Sequence, residues 1–365
     1  MILLSQLIDH YQKELERIHG HEMLPSHHQA LRAMRRCRRE GSEHMLLECK
    51  PCGTRFRVPH SCGHRSCPHC QHHDSQQWIL RQTAKLLPVT YFMVTFTVPA
   101  QLRSTVWQHQ KAMYDLLIKA SWQTIDGFAR RDPKLKGRIG AHSVLHTHNR
   151  KLDFHPHVHM IVPAGVVDEK RGHWRYKSEH YLFPAHNLAK VFRAKILAGI
   201  KALGLKAKET LPEEWVVHCK SVGRGEQALI YLGRYLYRGV ISEKNILSDN
   251  QGVITFRIKE NTGQEVIQRL SGAEFLWRLL LHVLPKRFRR VRDFGLLHSN
   301  AKRLILLVQL VLSVRVPRPT PPREPTPMVC PRCGGASAAV DGAPAGENVD
   351  SLLRFNRLRG RDLYP

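Results

Sequence analysis

Alternate histidines mark one short apolar segment of the chain, HPHVHMIV. Because side chains on a β-strand alternate between its two faces, His155, His157 and His159 would point the same way. Two imidazoles two residues apart on one face can hold one divalent ion. The preceding segment, AHSVLHTH, is typical of a partner strand in an antiparallel hairpin and could add His146 or His148. The alternative is a set of histidines that face solvent or only make hydrogen bonds.

Two tyrosines lie one helical turn apart in the segment EQALIYLGRYLYRGVIS. The i, i+4 spacing predicts that Tyr231 and Tyr235 share a helix face, with Arg234 and Arg238 beside them to hold phosphates. A tyrosine hydroxyl can attack a phosphodiester and form a covalent phosphotyrosine. Because its ordinary pKa is about 10, it needs help from a metal that polarises the phosphate, and the histidines could supply one. The alternative is a pair of core residues on an amphipathic helix.

The cysteines form pairs with the spacing of metal ligands. Cys49 and Cys52 are followed after fourteen residues by Cys67 and Cys70, which is close to a zinc-ribbon spacing. Four thiolates close a tetrahedral structural Zn²⁺ site without an open position. Cys62 and nearby histidines leave room for a different ligand or a second ion.

A further pair, Cys330 and Cys333, has the same spacing near the end of the sequence. No partner is visible for it, so it is either half of a site completed elsewhere or a remnant. We interpret Cys37 and Cys219 as ordinary buried thiols.

The charge of the chain indicates a polyanionic partner. Lys and Arg number 57 against 30 Asp and Glu, a formal net charge of +27, which favours nucleic acid over a membrane surface. The stretch 284–303 interleaves basic residues with Phe288 and Phe294, a pattern that suits single-stranded nucleic acid or a solvated charged face. The longest apolar run, 304–314, is too short to span a bilayer, so we expect a soluble protein in a reducing cytosol.

Strand and helix patterns alternate through the middle of the chain. VTYFMVTFTVP predicts a buried strand, and it is followed by a helix over 100–130, the histidine hairpin and a helix over 185–204. A further strand, VVHCKSV, precedes the tyrosine helix. This order predicts an α+β fold.

Composition divides the chain into four predicted parts. Residues 1–36 are expected to be helical, 37–75 to form the zinc-binding module and 76–315 to form the main domain. Residues 316–365 begin with six prolines between 317 and 327, which predicts an extended linker before a disordered tail.

Several blocks, in this order, resemble the insertion sequence 91 family of rolling-circle transposases, of the His-hydrophobic-His nuclease superfamily. HSCGHRSCPHCQ resembles the family's zinc-binding block. VTFTVP, VLHTHNRKLDFHPHVHMIVPAG and YLGRYLYRGVIS resemble its three nuclease blocks, and LPKRFRRVRDFGLL resembles the block that follows them. Together the blocks cover most of residues 1–315.

The resemblance implies a ferredoxin-like antiparallel-sheet nuclease domain with a metal on its central hairpin. It implies that His157 and His159 bind Mg²⁺ or Mn²⁺, with His146 or His155 as a candidate third ligand. It also implies that Tyr231 and Tyr235 match the family's two-tyrosine pattern. One tyrosine would nick single-stranded DNA at an element end and keep the 5′-phosphate, and the other could accept the next strand. Which of them acts first is open.

The predicted function is therefore a transposase that nicks and rejoins single-stranded, element-end DNA in the bacterial cytoplasm, associated with the nucleoid. No membrane partner is expected, and a homo-oligomer is an open option. One alternative is a plasmid replication initiator or relaxase with the same chemistry. Another is a zinc-dependent DNA-binding protein without catalysis.

Overall fold

The computed structural model describes residues 2–39, 43–68, 70, 81–149, 151–177, 180–206, 210–224, 227, 229, 240–259, 264–314 and 328–340. The helices in these residues, in chain order, are α1 Leu4–His19, α2 Pro25–Arg36, α3 Arg103–Gln108, α4 Gln110–Arg131, α5 Ala185–Ala202, α6 Gly272–Leu280 and α7 Lys302–Val311. The strands are β1 His44–Cys49, β2 Arg55–Pro59, β3 Thr90–Thr97, β4 Gly140–His148, β5 Phe154–Pro163, β6 Gly165–Asp168, β7 His173–Tyr176, β8 Val217–Arg224, β9 Ile246–Asn250, β10 Val253–Lys259, β11 Glu265–Ser271, β12 Val291–Gly295, β13 Met328–Val329 and β14 Ala336–Ala339. Helices mixed with antiparallel sheets confirm the predicted α+β class.

The chain divides into two compact units. One, called the sheet unit here, contains the described residues from 81 to 229 and from 284 to 314. The other, the cysteine unit, contains the described residues up to 70, 240–283 and 328–340. No helix in the described residues is both long enough and apolar enough to cross a membrane.

The main sheet of the sheet unit has the order β12-β4-β5-β3-β8, and every neighbouring pair is antiparallel. Along the chain, β3 is followed by α3 and α4, then by β4, β5, the separate two-stranded sheet β6-β7, α5 and β8. This is the βαββαβ arrangement of ferredoxin-like folds, with β12 added beside β4. The predicted ferredoxin-like sheet is confirmed, and the histidine strand β5 lies at its centre.

The two faces of this sheet differ in chemistry because the strand sequences alternate. Val94 and Phe96 on β3 and Val158 on β5 are fully buried in the apolar core with residues of α4 and α5. The ring of Phe96 lies 4.9 Å, centroid to centroid, from the ring of Phe192 on α5. The intervening residues, histidines among them, point to the other side, which we call the histidine face.

The cysteine unit combines segments that are far apart in sequence. Helix α1 packs against α2 and α6, and His19 of α1 stacks on Trp277 of α6 with ring centroids 4.6 Å apart. The Tyr11 hydroxyl donates a hydrogen bond to Asp249 of β9. Residues 240–283, which the sequence analysis assigned to the 76–315 domain, therefore lie with the amino-terminal helices. The reason is non-local packing, which local composition does not encode.

The tail of the chain also differs from its prediction. Part of the segment expected to be linker and disordered tail, residues 328–340, contains the strands β13 and β14. They extend the β1–β2 hairpin into a sheet with the order β13-β14-β1-β2. Met45, Leu47, Val58 and Met328 are buried together in this sheet, so an apolar contact as well as strand pairing orders the segment.

Candidate active site and metal centres

Three histidines converge on the histidine face. Strands β4 and β5 pair with His146 opposite His157, and His159 follows two residues later on β5. One ring nitrogen from each of these three residues lies within 4.8 Å of the others. The Nε2 atoms of His157 and His159 are 3.1 Å apart. Hairpin register and strand alternation together bring the three imidazoles to one point.

Neighbouring groups fix the orientation of these rings. His157 donates a hydrogen bond from Nδ1 to the carbonyl oxygen of His155, at 2.7 Å. That bond assigns the proton to Nδ1 and directs the Nε2 lone pair toward the cluster. On the neighbouring strand β3, the Thr95 hydroxyl lies 2.9 Å from Nδ1 of His159 and shares a hydrogen bond with it.

The environment of the cluster favours the neutral form of all three imidazoles. Burial lowers the pKa of His157 to about 4. Burial and the neighbouring histidines also lower the pKa values of His146 and His159 well below the usual range. All three imidazoles are therefore neutral at pH 7, and only neutral imidazole offers a lone pair to a metal ion.

The other candidate ligands lie beside the cluster. His155 accepts a hydrogen bond at Nδ1 from Arg103, at 2.8 Å, and burial with the Arg103 charge lowers its pKa. His148 stacks on His146 with ring centroids 6.2 Å apart. Between the two candidates for a third ligand, the geometry thus groups His146 with His157 and His159, while His155 is bonded to Arg103.

A second polar group on this face was missed by the sequence analysis. Asp293 of β12 accepts hydrogen bonds from His142 of β4, at 2.7 Å, and from the Lys85 ammonium, at 2.9 Å. Burial alone would raise the pKa of Asp293, but His142 and Lys85 outweigh it and lower the pKa to about 2. The charged group ties β12 to β4. Asp293 is 208 residues from Lys85 and 151 residues from His142 in sequence, so no spacing pattern along the chain indicates this group.

The basic stretch 284–303 does not present its two phenylalanine rings for base stacking. Phe288 is buried beside Tyr114, with ring centroids 5.5 Å apart. Phe294 stacks on Trp122 at 5.0 Å. Phe288 belongs to the core of the sheet unit and Phe294, which is partly buried, packs against that core, whereas Arg287 and Arg289 are exposed. The arginines remain available to phosphates, but the two phenylalanines are structural.

The predicted nucleophiles lie outside the described residues. Tyr231, Tyr235, Arg234 and Arg238 fall in the segment that follows β8, which ends at Arg224. Strand β8 pairs with β3, the neighbour of β5, so the chain enters the tyrosine segment from the sheet that carries the histidines. Their assignment as nucleophiles and phosphate ligands rests on the sequence.

Two clusters of cysteines lie in the cysteine unit. The first consists of Cys37, Cys62, Cys67 and Cys70. Its Sγ atoms are separated by 3.6 Å between Cys37 and Cys67, 3.6 Å between Cys62 and Cys70, and 3.7 Å between Cys37 and Cys70. Tetrahedral zinc with bonds of about 2.3 Å places its sulfur ligands about 3.8 Å apart, so these four thiols fit the ion.

The second cluster joins Cys49 and Cys52 to Cys330 and Cys333. The Thr54 hydroxyl and the neighbouring thiols lower the pKa of Cys52, whereas burial and the same neighbours raise the pKa of Cys49.

The four cysteines predicted to share one ion thus belong to two clusters. Cys67 and Cys70 are joined by Cys37 and Cys62, and Cys49 and Cys52 by the late pair that had no visible partner. Spacing along the chain favours the nearest C-x-x-C pair, but the β1–β2 hairpin turns its cysteines toward β14 instead. The repeated pattern Cys-x-x-Cys-Gly at 49–53 and 330–334 is the sequence signal that links the two pairs.

Known proteins match most of the chain. A transposase zinc-binding domain matches residues 3–98, and a family described as "Putative transposase" matches residues 140–304. A protein of Sinorhizobium fredii named "Putative transposase y4qJ" is 32% identical over 80% of both chains. This chain belongs to the insertion sequence 91 family of transposases. The transposase for insertion sequence element IS801 of Pseudomonas savastanoi pv. phaseolicola is 28% identical over 78% of both chains. No solved structure matches the chain.

Membership in this transposase family confirms the resemblance inferred from the ordered blocks. A transposase acts on DNA, so DNA is the partner that the +27 charge predicted. The match to a zinc-binding domain and the cysteine clusters together support Zn²⁺. The zinc-binding match ends at residue 98, far before Cys330 and Cys333.

Proposed function

We propose that this transposase nicks and rejoins single-stranded DNA at element ends through a 5′-phosphotyrosine. The observation that carries the proposal is the convergence of His146, His157 and His159 on the face of a ferredoxin-like sheet. Buried, neutral imidazoles held by hydrogen bonds to Thr95 and to the His155 carbonyl are a costly arrangement unless they bind something.

The three imidazoles fit a divalent cation, which when bound would polarise the scissile phosphate. The donor set also discriminates between the two predicted ions. Mg²⁺ prefers oxygen ligands, whereas three nitrogen donors suit a transition metal, so this site favours Mn²⁺ over Mg²⁺.

The bond changes are assigned to Tyr231 and Tyr235. The phenolic oxygen of one tyrosine forms a bond to phosphorus while the bond from phosphorus to the 3′ oxygen breaks. The tyrosine gives up its proton and the departing oxygen takes one, leaving a free 3′-hydroxyl. Because one phosphate ester replaces another, a 3′-hydroxyl can later reverse the step and join DNA at a target.

Exposed polar and basic residues on the histidine face support a role in holding the strand. His218 and Lys220 of β8 are exposed. His218 lies opposite Thr95 of β3 and Lys220 lies opposite Met93, and Thr95 is in turn paired with His159 of β5. Arg234 and Arg238 would add phosphate contacts beside the tyrosines. Since the substrate is bacterial DNA, we place the activity in the cytoplasm, at the nucleoid.

The test uses labelled single-stranded oligonucleotides from the flanks of the gene, with Mn²⁺ or Mg²⁺. We expect a protein–DNA adduct that survives denaturation, forms faster with Mn²⁺, and disappears with chelator or in His157→Ala. Calorimetry should show that His157→Ala no longer binds Mn²⁺, while His173→Ala, at an exposed histidine on β7, behaves as wild type. Tyr231→Phe and Tyr235→Phe would identify the hydroxyl that attacks first.

Two results would contradict the proposal. DNA binding without any adduct would favour the non-catalytic alternative, and an adduct that persists in the Tyr231→Phe, Tyr235→Phe double variant would exclude these nucleophiles. The family relationship itself favours a transposase over a plasmid replication initiator with the same chemistry.

A further inference from the structure

We propose that the chain holds a second structural zinc ion in a site shared by its two ends. The ligands are Cys49 at the end of β1, Cys52 in the turn between β1 and β2, and Cys330 and Cys333 in the turn between β13 and β14. Cys52 and Cys330 are 278 residues apart in sequence. The cluster lies within the cysteine unit, which both ends of the chain build together.

The sulfur positions match those of a tetrathiolate zinc site. Sγ–Sγ distances are 3.5 Å between Cys49 and Cys333, 3.4 Å between Cys52 and Cys333, and 3.9 Å between Cys52 and Cys330. Zinc with four sulfur ligands at about 2.3 Å requires separations of about 3.8 Å. A disulfide would bring two sulfurs to about 2.05 Å, so these four thiols are arranged around a common centre and not in bonded pairs.

The two turns repeat the same backbone hydrogen bonds. The N–H of Gly53 donates to the carbonyl of Cys49 at 2.9 Å, and the N–H of Gly334 donates to the carbonyl of Cys330 at 2.9 Å. Both glycines have a positive φ, +66° and +73°, a conformation that glycine adopts without strain.

The backbone N–H of the first cysteine also makes the same hydrogen bond in both turns. Cys49 N–H donates to the carbonyl of Thr54 at 3.0 Å, and Cys330 N–H donates to the carbonyl of Gly335 at 2.8 Å. The chain has thus built one metal-binding turn twice, from Cys-x-x-Cys-Gly sequences near its two ends.

Strand pairing presents the two turns to each other. Strand β14 pairs antiparallel with β1, with Cys49 opposite Ser337. Two backbone bonds frame this pairing, from Lys50 N–H to the Ala336 carbonyl and from Val340 N–H to the Leu46 carbonyl, both at 3.1 Å. The late hairpin is therefore an integral part of the sheet that carries Cys49 and Cys52.

The site is independent of the other cysteine cluster. Cys37, Cys62, Cys67 and Cys70 supply four ligands without any residue from the end of the chain. Four thiolates at the shared site leave no open coordination position, so its zinc is structural. The ion would fasten the segment 328–340 to the amino-terminal module, whose second site stays incomplete until residues 330–333 have been made.

The test counts zinc on the full-length chain by native mass spectrometry. The double variant Cys330→Ser, Cys333→Ser should hold one zinc fewer than wild type, and so should Cys49→Ser, Cys52→Ser. The four-fold combination should still lack only one, because all four residues serve the same ion. Cys219→Ser, at a half-buried cysteine of β8 in the sheet unit, should lose none.

A second measurement needs no substitution and so does not depend on the folding of a variant. In the zinc-loaded wild-type chain, Cys330 and Cys333 should resist alkylation together with Cys49 and Cys52, and all four should react after chelation. Unchanged zinc in the Cys330, Cys333 variant, or immediate alkylation of this pair in the loaded protein, would overturn the shared site. The first result would instead favour one ion held by Cys49, Cys52, Cys67 and Cys70.

Discussion

At the scale of single residues, burial decides how the polar groups of the sheet unit behave. On one face of the sheet, burial lowers the pKa of His157 and keeps its ring neutral. On the same face, hydrogen bonds from His142 and Lys85 keep the Asp293 carboxylate charged. The difference arises from the partners: His157 has imidazoles beside it, whereas the Asp293 carboxylate accepts hydrogen bonds from the Lys85 ammonium group and the His142 ring.

Asp293 yields a prediction about stability and pH. Its pKa is about 2 in the folded chain against 3.8 as the ordinary value, so its charge stabilises the fold by about 2 kcal/mol at neutral pH. Because the folded pKa is the lower one, this contribution is complete above pH ~4 and is lost as the pH falls toward ~2. We expect Asp293→Asn to lower the free energy of unfolding by about 2 kcal/mol at pH ~7, measured by urea denaturation.

The deficit of Asp293→Asn should shrink as the pH falls below ~4. Glu169→Gln is the matched control, because Glu169 is half exposed and its ion pair with Arg138 should contribute less than about 1 kcal/mol. A deficit that does not change with pH would mean that Asp293 acts through shape and not through charge.

At the scale of elements, one strand serves two purposes because its residues alternate. Strand β3 places Phe92, Val94 and Phe96 in the core and Thr95 beside His159. The helices α4 and α5 cover the apolar face, and the histidines lie on the other face. The position of the histidines therefore depends on the packing of β3 against these helices.

Removing one core ring of β3 tests this dependence. Phe96→Ala should lower the free energy of unfolding by about 3–5 kcal/mol, since Phe96 is fully buried against Phe192. Leu306→Ala, at a leucine of α7 that is 60% exposed, should change it by less than about 0.5 kcal/mol. Chemical denaturation measures both. Similar losses in the two variants would show that the apolar face does not carry the stability of this unit.

At the scale of the whole molecule, the net charge of +27 controls the encounter with DNA. Each neutralised phosphate of a single strand contributes about −0.7 to the slope of log affinity against log salt, so six contacts would give a slope of about −4. Non-specific attraction of this kind brings the strand to the protein but does not choose its sequence.

The contribution of the histidine face can be separated from the bulk charge. Lys220→Gln, at an exposed lysine of β8, should weaken the binding of single-stranded DNA regardless of sequence. It should also reduce the slope of log affinity against log salt by about 0.7. Lys111→Gln removes the same charge from α4, which covers the opposite face of the sheet. Fluorescence anisotropy across a salt series should show a smaller change for Lys111→Gln, and equal changes would mean that DNA does not select this face.

The sequence by itself determined what depends on neighbours a few residues apart. Alternation placed His157 and His159 on one face, the order of strand and helix patterns predicted an α+β fold, and C-x-x-C pairs indicated zinc. These features follow from the two-residue repeat of a strand and the geometry of a single turn.

Only the tertiary structure decided which groups meet. It grouped His146 and not His155 with the other two histidines, packed Phe288 in the core and Phe294 against it, and brought Asp293 to His142. It also set Cys49 and Cys52 beside the cysteines at 330 and 333. Each of these groupings depends on strand pairing and packing between distant segments, because the separation of two residues along the chain does not determine their distance in space.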